Sequence, residues 1–179
     1  CEGLGTKMQK TLTGNFGLCS SFSFYIAHHL STIEGGMICT KNKEFYNNLL
    51  IARAHGWLRD IDEKEKLKIL KKHKISENFD FKFFAVGYNL RPTEINGYSG
   101  ILQLKYLKES LIKRSENYKY ITNILKKKNY LIQHNVDHIK FISSFCIPFL
   151  FKSKKIKKYY ENKFNRKGIE NRPIIGGNI

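Results

Sequence analysis

Two adjacent histidines, His28 and His29, stand inside the stretch "SFSFYIAHHLSTIEGG" that runs from residue 21 to residue 36. Histidine is the side chain whose ordinary pKa lies nearest working pH, so the pair suits proton transfer. Ser20, Ser21, Ser23, Ser31 and Thr32 supply hydroxyls around it, and together with loop N–H groups they suit a phosphate. A metal is a rival reading, with His28, His29 and Glu34 as ligands. Against it, neighbouring histidines point apart on a strand or a helix, and no HExxH pattern is present. A polar loop with no chemistry is the third reading. Residue types alone leave the three open.

The elements that must position this loop are partly legible. "NFGLCSSFSFY" over 15–25 predicts a buried strand, and "GGMICT" a second short strand, with Gly35 and Gly36 permitting close approach before it. "KNKEFYNNLLIARAHG" predicts a helix with Phe45, Leu49, Ile51 and Ala52 on one side and Gly56 as its stop. Residues 58–80 are charged and without pattern, which predicts a surface excursion. A long helix follows, with Pro92 just inside its start and Ile101, Leu104, Leu107, Leu111, Tyr118, Ile121 and Leu125 recurring at helical steps. "KFISSFCIPFLFK" predicts one or two strands. "SKKIKKYYENKFNRKG" predicts a helix between a Ser153 cap and Gly168, and "IENRPII" a closing strand. Interleaved helices and strands predict an α/β chain, with a boundary near residue 130 into a smaller α+β unit.

Composition narrows the classes. Apolar residues make up 41% of the 179, which predicts a globular chain. No run approaches the roughly 20 apolar residues of a membrane span. The four cysteines form no CxxC pair, which excludes a zinc-finger pattern and predicts a reduced, cytoplasmic setting. The formal charge of +17 suits a polyanion-binding surface, but the lysines are scattered along helical segments without a nucleic-acid motif. Solvated lysine faces are the expectation, with no nucleic acid and no membrane as partner. A start without Met and the ending "RPIIGGNI" predict a piece of a chain about twice this length, with no signal peptide in view.

The ordered pieces "CEGLGTK", "TGNFGLCSSFSFY", "EGGMICT", "RAHGW", "GYNLRPTEINGYSGILQLKYL" and "GIENRPIIGGN" resemble the DegT/DnrJ/EryC1/StrS family across nearly the whole chain. The resemblance implies a fold type I enzyme of nucleotide-linked keto sugars that uses pyridoxal 5'-phosphate or its amine form, pyridoxamine 5'-phosphate. It implies that residues 1–129 are the C-terminal part of the large cofactor-binding domain, with dimer-facing helices, and 130–179 the start of the small domain. In such enzymes a lysine tethers the cofactor five residues after the serine of "SF" and six before the glutamate of "EGG". Both counts, from Ser23 and from Glu34, land here on His28. Imidazole forms no stable covalent tether but keeps a base. Histidine at this place resembles the sugar 3-dehydratases of the family, which remove a C3 hydroxyl. One kind of these holds an iron–sulfur cluster through cysteines that follow the "RAHGW" region. Residues 58–70 contain none, so the resemblance is to the cluster-free kind, with glutamate as the amino donor.

The same resemblance assigns further positions. Ser23 matches the hydroxyl that binds the cofactor phosphate. Asn89 matches the asparagine that reaches the phosphate of the neighbouring subunit's site, which implies a homodimer with shared active sites. Glu2 matches a residue near the cofactor ring. Arg172 falls where the small domain meets the substrate, to bind glutamate's carboxylate or the phosphates of the nucleotide sugar. Arg59 is placed to reach a ligand phosphate. His29 is either a partner that orients His28 or a packed residue. The aspartate that pairs with the pyridine nitrogen falls before Cys1, so an isolated piece with these residues is expected to be inactive. Two other functions stay in view. One is a sugar aminotransferase with its lysine elsewhere, although Lys41 and Lys43 follow "EGG" too late. The other is a non-catalytic basic binding module.

Overall fold

A computed structural model describes residues 2–76 and 81–173. In chain order the elements are β1 (Lys7–Met8), β2 (Thr11–Leu12), a 3-10 turn (Thr13–Asn15), β3 (Cys19–Ser23), β4 (Gly36–Thr40), α1 (Lys43–Arg53), α2 (Glu63–Lys72), α3 (Glu94–Leu125), β5 (Leu131–Ile132), β6 (Ile139–Phe141), β7 (Leu150–Phe151) and α4 (Lys154–Arg166). Two compact units form. One takes in Gly14–Lys105, and the other joins Glu2–Thr13 to the stretch from Tyr106 onward.

In the first unit, β3 and β4 pair antiparallel in unbroken register, from Cys19 opposite Thr40 to Ser23 opposite Gly36. A Cβ on Gly36 would stand 2.9 Å from the Phe22 carbonyl oxygen, so glycine is required there. The strand is where the sequence placed it, but it is not buried. Phe16 and Leu18 are 57% and 59% exposed, and Cys19 is exposed as well. Among the described residues this sheet has two strands, and a two-stranded ribbon covers neither of its faces.

Asn42 caps α1 by accepting the Phe45 N–H at 2.8 Å. Only Asn47 and Ile51 of this helix are buried; Phe45, Leu49 and Ala52 are half-buried. The chain leaves it through His55 (φ +62) and Gly56 (φ +85), whose N–H reaches back to the Ile51 carbonyl at 2.9 Å. The expected surface excursion over 58–80 is corrected. Asp62 caps α2, accepting the Glu65 N–H at 3.0 Å. Leu58, Ile61 and Leu70 join Ile51 in the core cluster, with Ile75 and Phe84 packed on it. One buried residue within a ten-residue helix leaves no periodic signature, which is why the segment read as surface. Residues 77–80 lie outside the described residues.

Helix α3 begins two residues after Pro92, not around it. Thr93 and Asn96 bond reciprocally: the Asn96 N–H donates to Thr93 Oγ1 at 3.4 Å, and the Thr93 N–H donates to Asn96 Oδ1 at 3.0 Å. Of its expected apolar stripe only Tyr118 is buried, while Ile101 and Leu104 are 67% and 54% exposed.

In the second unit the strands order β2-β1-β6, all antiparallel, and β5 pairs with β7. The Ser143 N–H donates to Thr6 Oγ1 at 3.1 Å, just beyond the end of the β1–β6 pairing. Tyr160 stacks between Tyr130 and Phe151, with centroids at 5.0 and 5.5 Å. Ser153 caps α4, accepting from the Ile156 N–H at 3.3 Å, and Gly168 follows its end at φ +68, as expected. The closing strand is absent over 169–173, where Asn171 Nδ2 bonds Asn165 Oδ1 at 2.6 Å instead. The rest of that stretch, and Cys1, lie outside the described residues.

Candidate active site

The turn between β3 and β4 carries the histidines. It closes on itself: Phe24 N–H donates to the Gly35 carbonyl at 2.9 Å, Thr32 N–H to the Phe24 carbonyl at 2.8 Å, and His28 N–H to the Tyr25 carbonyl at 3.2 Å. Ala27 and Ile33 take positive φ (+73 and +72), so the backbone reverses sharply on either side of the pair. His28 is half-buried and His29 is buried. Ser23 is half-buried at the end of β3, and its Oγ accepts the Tyr25 N–H at 3.2 Å. That bond uses a lone pair of Ser23 and leaves its hydroxyl hydrogen to donate elsewhere.

Three polar residues of α3 hold this turn, and the sequence reading missed them. The Ser31 N–H donates to Gln103 Oε1 at 3.0 Å, and Gln103 Nε2 donates back to the Ser31 carbonyl. Ser99 Oγ donates to that carbonyl as well, at 3.4 Å. Asn96 Nδ2 donates to the carbonyls of Thr32 at 2.6 Å and Glu34 at 3.0 Å. Positions 96, 99 and 103 fall on one face of a helix. That spacing, with Gly100 beside it, was the signal available. A Cβ on Gly100 would stand 3.3 Å from Thr32 Cγ2, so the small residue admits the turn.

The "RAHGW" and "GYNLRP" motifs meet through backbone hydrogen bonds. His55 N–H donates to the Tyr88 carbonyl at 2.8 Å, Tyr88 N–H to the Ala52 carbonyl at 2.7 Å, Leu90 N–H to the Arg53 carbonyl at 3.0 Å, and Phe84 N–H to the Gly56 carbonyl at 2.8 Å. Asn89 is exposed and bridges Ala54 in this ladder. The contact demands glycine: a Cβ on Gly87 would lie 2.2 Å from the Gly56 nitrogen, and one on Gly56 1.9 Å from the Ala85 oxygen. Arg59 is exposed, with its guanidinium 4.0 Å over the Trp57 ring.

Five of the seven candidate residues (Ser23, His28, His29, Arg59 and Asn89) thus lie in the first unit, while Glu2 and Arg172 lie in the second. Arg172 is 74% exposed in its side chain and pairs with Glu170, Nη2 to Oε1, at 2.6 Å. Glu2 is exposed. Partial burial, and then the Glu2 carboxylate, push the Cys146 thiol above its ordinary value. Lys43 is bound to Asp62 at 2.8 Å. The Lys43 ammonium holds the Asp62 carboxyl below the usual range, and the pairing raises Lys43. Among the described residues no group of three or more His, Cys, Asp or Glu is placed to hold a metal, and no helix is long and apolar enough to cross a membrane.

The model of the DegT/DnrJ/EryC1/StrS aminotransferase family matches residues 1–175. The chain is 38% identical over its full length to GDP-4-keto-6-deoxy-D-mannose 3-dehydratase of Escherichia coli O55:H7, covering 46% of that protein. It is similar to the solved structure of E. coli GDP-4-keto-6-deoxy-D-mannose-3-dehydratase with bound hydrated PLP, at a TM-score of 0.84 and 36% identity over 99% of this chain and 46% of that one. A structure of GDP-4-keto-6-deoxymannose-3-dehydratase with a trapped PLP-glutamate geminal diamine matches at a TM-score of 0.76 and 33% identity, over 97% of this chain and 45% of that one. The chain therefore spans about half the length of the curated relatives it matches.

Proposed function

Because this chain belongs to the DegT/DnrJ/EryC1/StrS aminotransferase family and shares its α/β fold, we propose that the full-length protein is a nucleotide-sugar 3-dehydratase. It removes the C3 hydroxyl of a 4-keto-6-deoxy sugar in deoxysugar formation for surface polysaccharide, with a B6 cofactor and with His28 as the base. The observation that carries this reading is His28 itself. It stands five residues after Ser23 and six before Glu34, on a turn with no lysine between Phe24 and Gly35.

The donor set fits a cofactor held through its phosphate rather than by a covalent tether. Ser23 retains a hydroxyl hydrogen for a phosphate oxygen, and Asn89 carries an exposed carboxamide. Glu2 completes the proposed cofactor set. When bound, the cofactor supplies a primary amine and an electron-withdrawing pyridine ring. The ring nitrogen of His28 takes up a proton while the imidazole is neutral. The imidazolium then delivers it to the C3 hydroxyl oxygen, which departs as water. His29, which is buried, is assigned to orient the ring. Arg59 and Arg172 are assigned to anionic groups of the substrate, by charge and by their planar donor fork. Glutamate is the proposed amino donor, in keeping with the glutamate adduct of the related dehydratase. A homodimer with shared sites, a division into 1–129 and 130–179, cytoplasmic residence and freedom from iron–sulfur chemistry complete the proposal.

The aminotransferase alternative needs a lysine near this turn. Lys41 is separated from it by the five residues of β4, about 17 Å at ~3.3 Å per residue. Lys43 is committed to Asp62. Borohydride treatment of the full-length protein with pyridoxal phosphate decides between them. No lysine adduct is expected in the wild type, and one is expected in His28→Lys, with dehydration reduced by about 10²- to 10⁴-fold. Continued release of deoxysugar by His28→Lys would refute the role of His28. Retention on heparin without any cofactor absorbance would favour the basic binding module.

A further inference from the structure

The turn that bears His28 is held by side-chain carboxamides, and their geometry selects the residue type. Gln103 presents one donor and one acceptor to a single residue: Oε1 takes the Ser31 N–H at 3.0 Å, and Nε2 donates to the Ser31 carbonyl. One primary amide thereby does for Ser31 what the peptide of a neighbouring strand would do. Asn96 works at both of its ends. Its Nδ2 spans the Thr32 and Glu34 carbonyls, at 2.6 and 3.0 Å, while its Oδ1 accepts the Thr93 N–H at 3.0 Å. The bonds to Ser31 and Thr32 are partly buried, where a backbone group without a partner is costly. A carboxylate cannot replace either amide, because it has no hydrogen to donate to a carbonyl. A hydroxyl has a single polar atom with one hydrogen, where Asn96 donates to two carbonyls and Gln103 uses two separate atoms.

We propose that Gln103 and Asn96 are positioning residues for His28. By fixing Ser31 to Glu34 on α3 they hold the imidazole, three residues before Ser31, at one place and orientation. The turn transmits this constraint because it is short and closed, with Thr32 bonded to Phe24 and His28 to Tyr25. The proposal rests on the base role assigned to His28 above, but the pinning itself is measurable without cofactor or substrate.

The test uses the full-length protein and three variants. Gln103→Leu removes both of its bonds to Ser31. Gln103→Glu keeps the acceptor for the Ser31 N–H and sets a carboxylate against the Ser31 carbonyl. Asn96→Asp keeps the acceptor for the Thr93 N–H, and so the start of α3, while losing both donations to the turn. Amide hydrogen exchange in cofactor-free protein should become about tenfold faster across residues 28–35 in Asn96→Asp and Gln103→Leu, with the amides of 104–125 unchanged. Ser31 should stay protected in Gln103→Glu. In the loaded enzyme kcat should fall by about 10- to 100-fold in Asn96→Asp and Gln103→Leu, with KM for the sugar nucleotide near that of the wild type. Unchanged exchange over 28–35 would overturn the pinning. Faster exchange with unchanged kcat would overturn the positioning role. A wild type that binds cofactor yet dehydrates no sugar would sink the function proposed above, while faster exchange in the variants would still support the pinning.

Discussion

Two stretches of the first unit lie against a helix and are fastened by opposite means. Residues 84–90 meet the end of α1 and the turn after it through four peptide-to-peptide bonds of 2.7–3.0 Å, with the Phe84 ring packed on the core cluster that holds Ile51. The His28 turn meets α3 through side chains that donate to and accept from its backbone. The first joint therefore constrains mainly volume, at Gly56 and Gly87, because its hydrogen bonds use only peptide groups that any residue carries. The second constrains chemistry, because Gln103 and Asn96 need the separate donor and acceptor atoms of a carboxamide.

The largest expected effect breaks the first joint. Gly56→Ala would place a methyl 1.9 Å from the Ala85 oxygen at a φ of +85, and should cost about 3 kcal/mol or more of stability in urea unfolding of the full-length protein. A cost below about 1 kcal/mol would show that 84–90 moves aside freely. Next, Gln103→Leu should cost about 1–3 kcal/mol in the same measurement, the range for leaving buried backbone groups without partners. A neutral result would mean that water replaces the amide without loss.

A third kind of joint, charge to charge, ties the starts of α1 and α2 through Lys43 and Asp62. The Asp62 carboxyl is lowered, first by its bond from Lys43 and then by the Glu65 N–H, and Lys43 is raised. The stabilisation is therefore full above the ordinary carboxylate pKa of about 4 and is lost as pH falls through the lowered folded value. It is lost again as pH rises past about 10 through the raised value of Lys43. Asp62→Asn keeps an oxygen for the cap, so its deficit against the wild type should be small, confined to that window and reduced by salt. A deficit that persists unchanged at pH 2 would show that the cap, not the charge, carries the pair. The smallest effect sharpens the contrast between the joints. Tyr88→Ala should change stability by no more than about 0.5 kcal/mol, since this 64%-exposed residue joins the ladder through its backbone. A larger loss would show that the ring supports the joint.

What the chain determines by itself is local. The Ser153 cap with Gly168 and the β3–β4 hairpin with Gly36 rest on contacts within a few residues or across one turn, so residue types and spacing suffice. The offset of His28 from Ser23 and Glu34 was legible for the same reason. Tertiary structure decided the rest. Leu58, Ile61 and Leu70 are core because α1 and Phe84 pack on them, and nothing in their spacing announces it. Asn96, Ser99 and Gln103 look like the solvated face of a long helix until the turn arrives. Their partners lie 62 to 72 residues away in sequence. A donor's type is written in the sequence, but which carbonyl it faces, and whether water is shut out there, is settled only when distant segments meet.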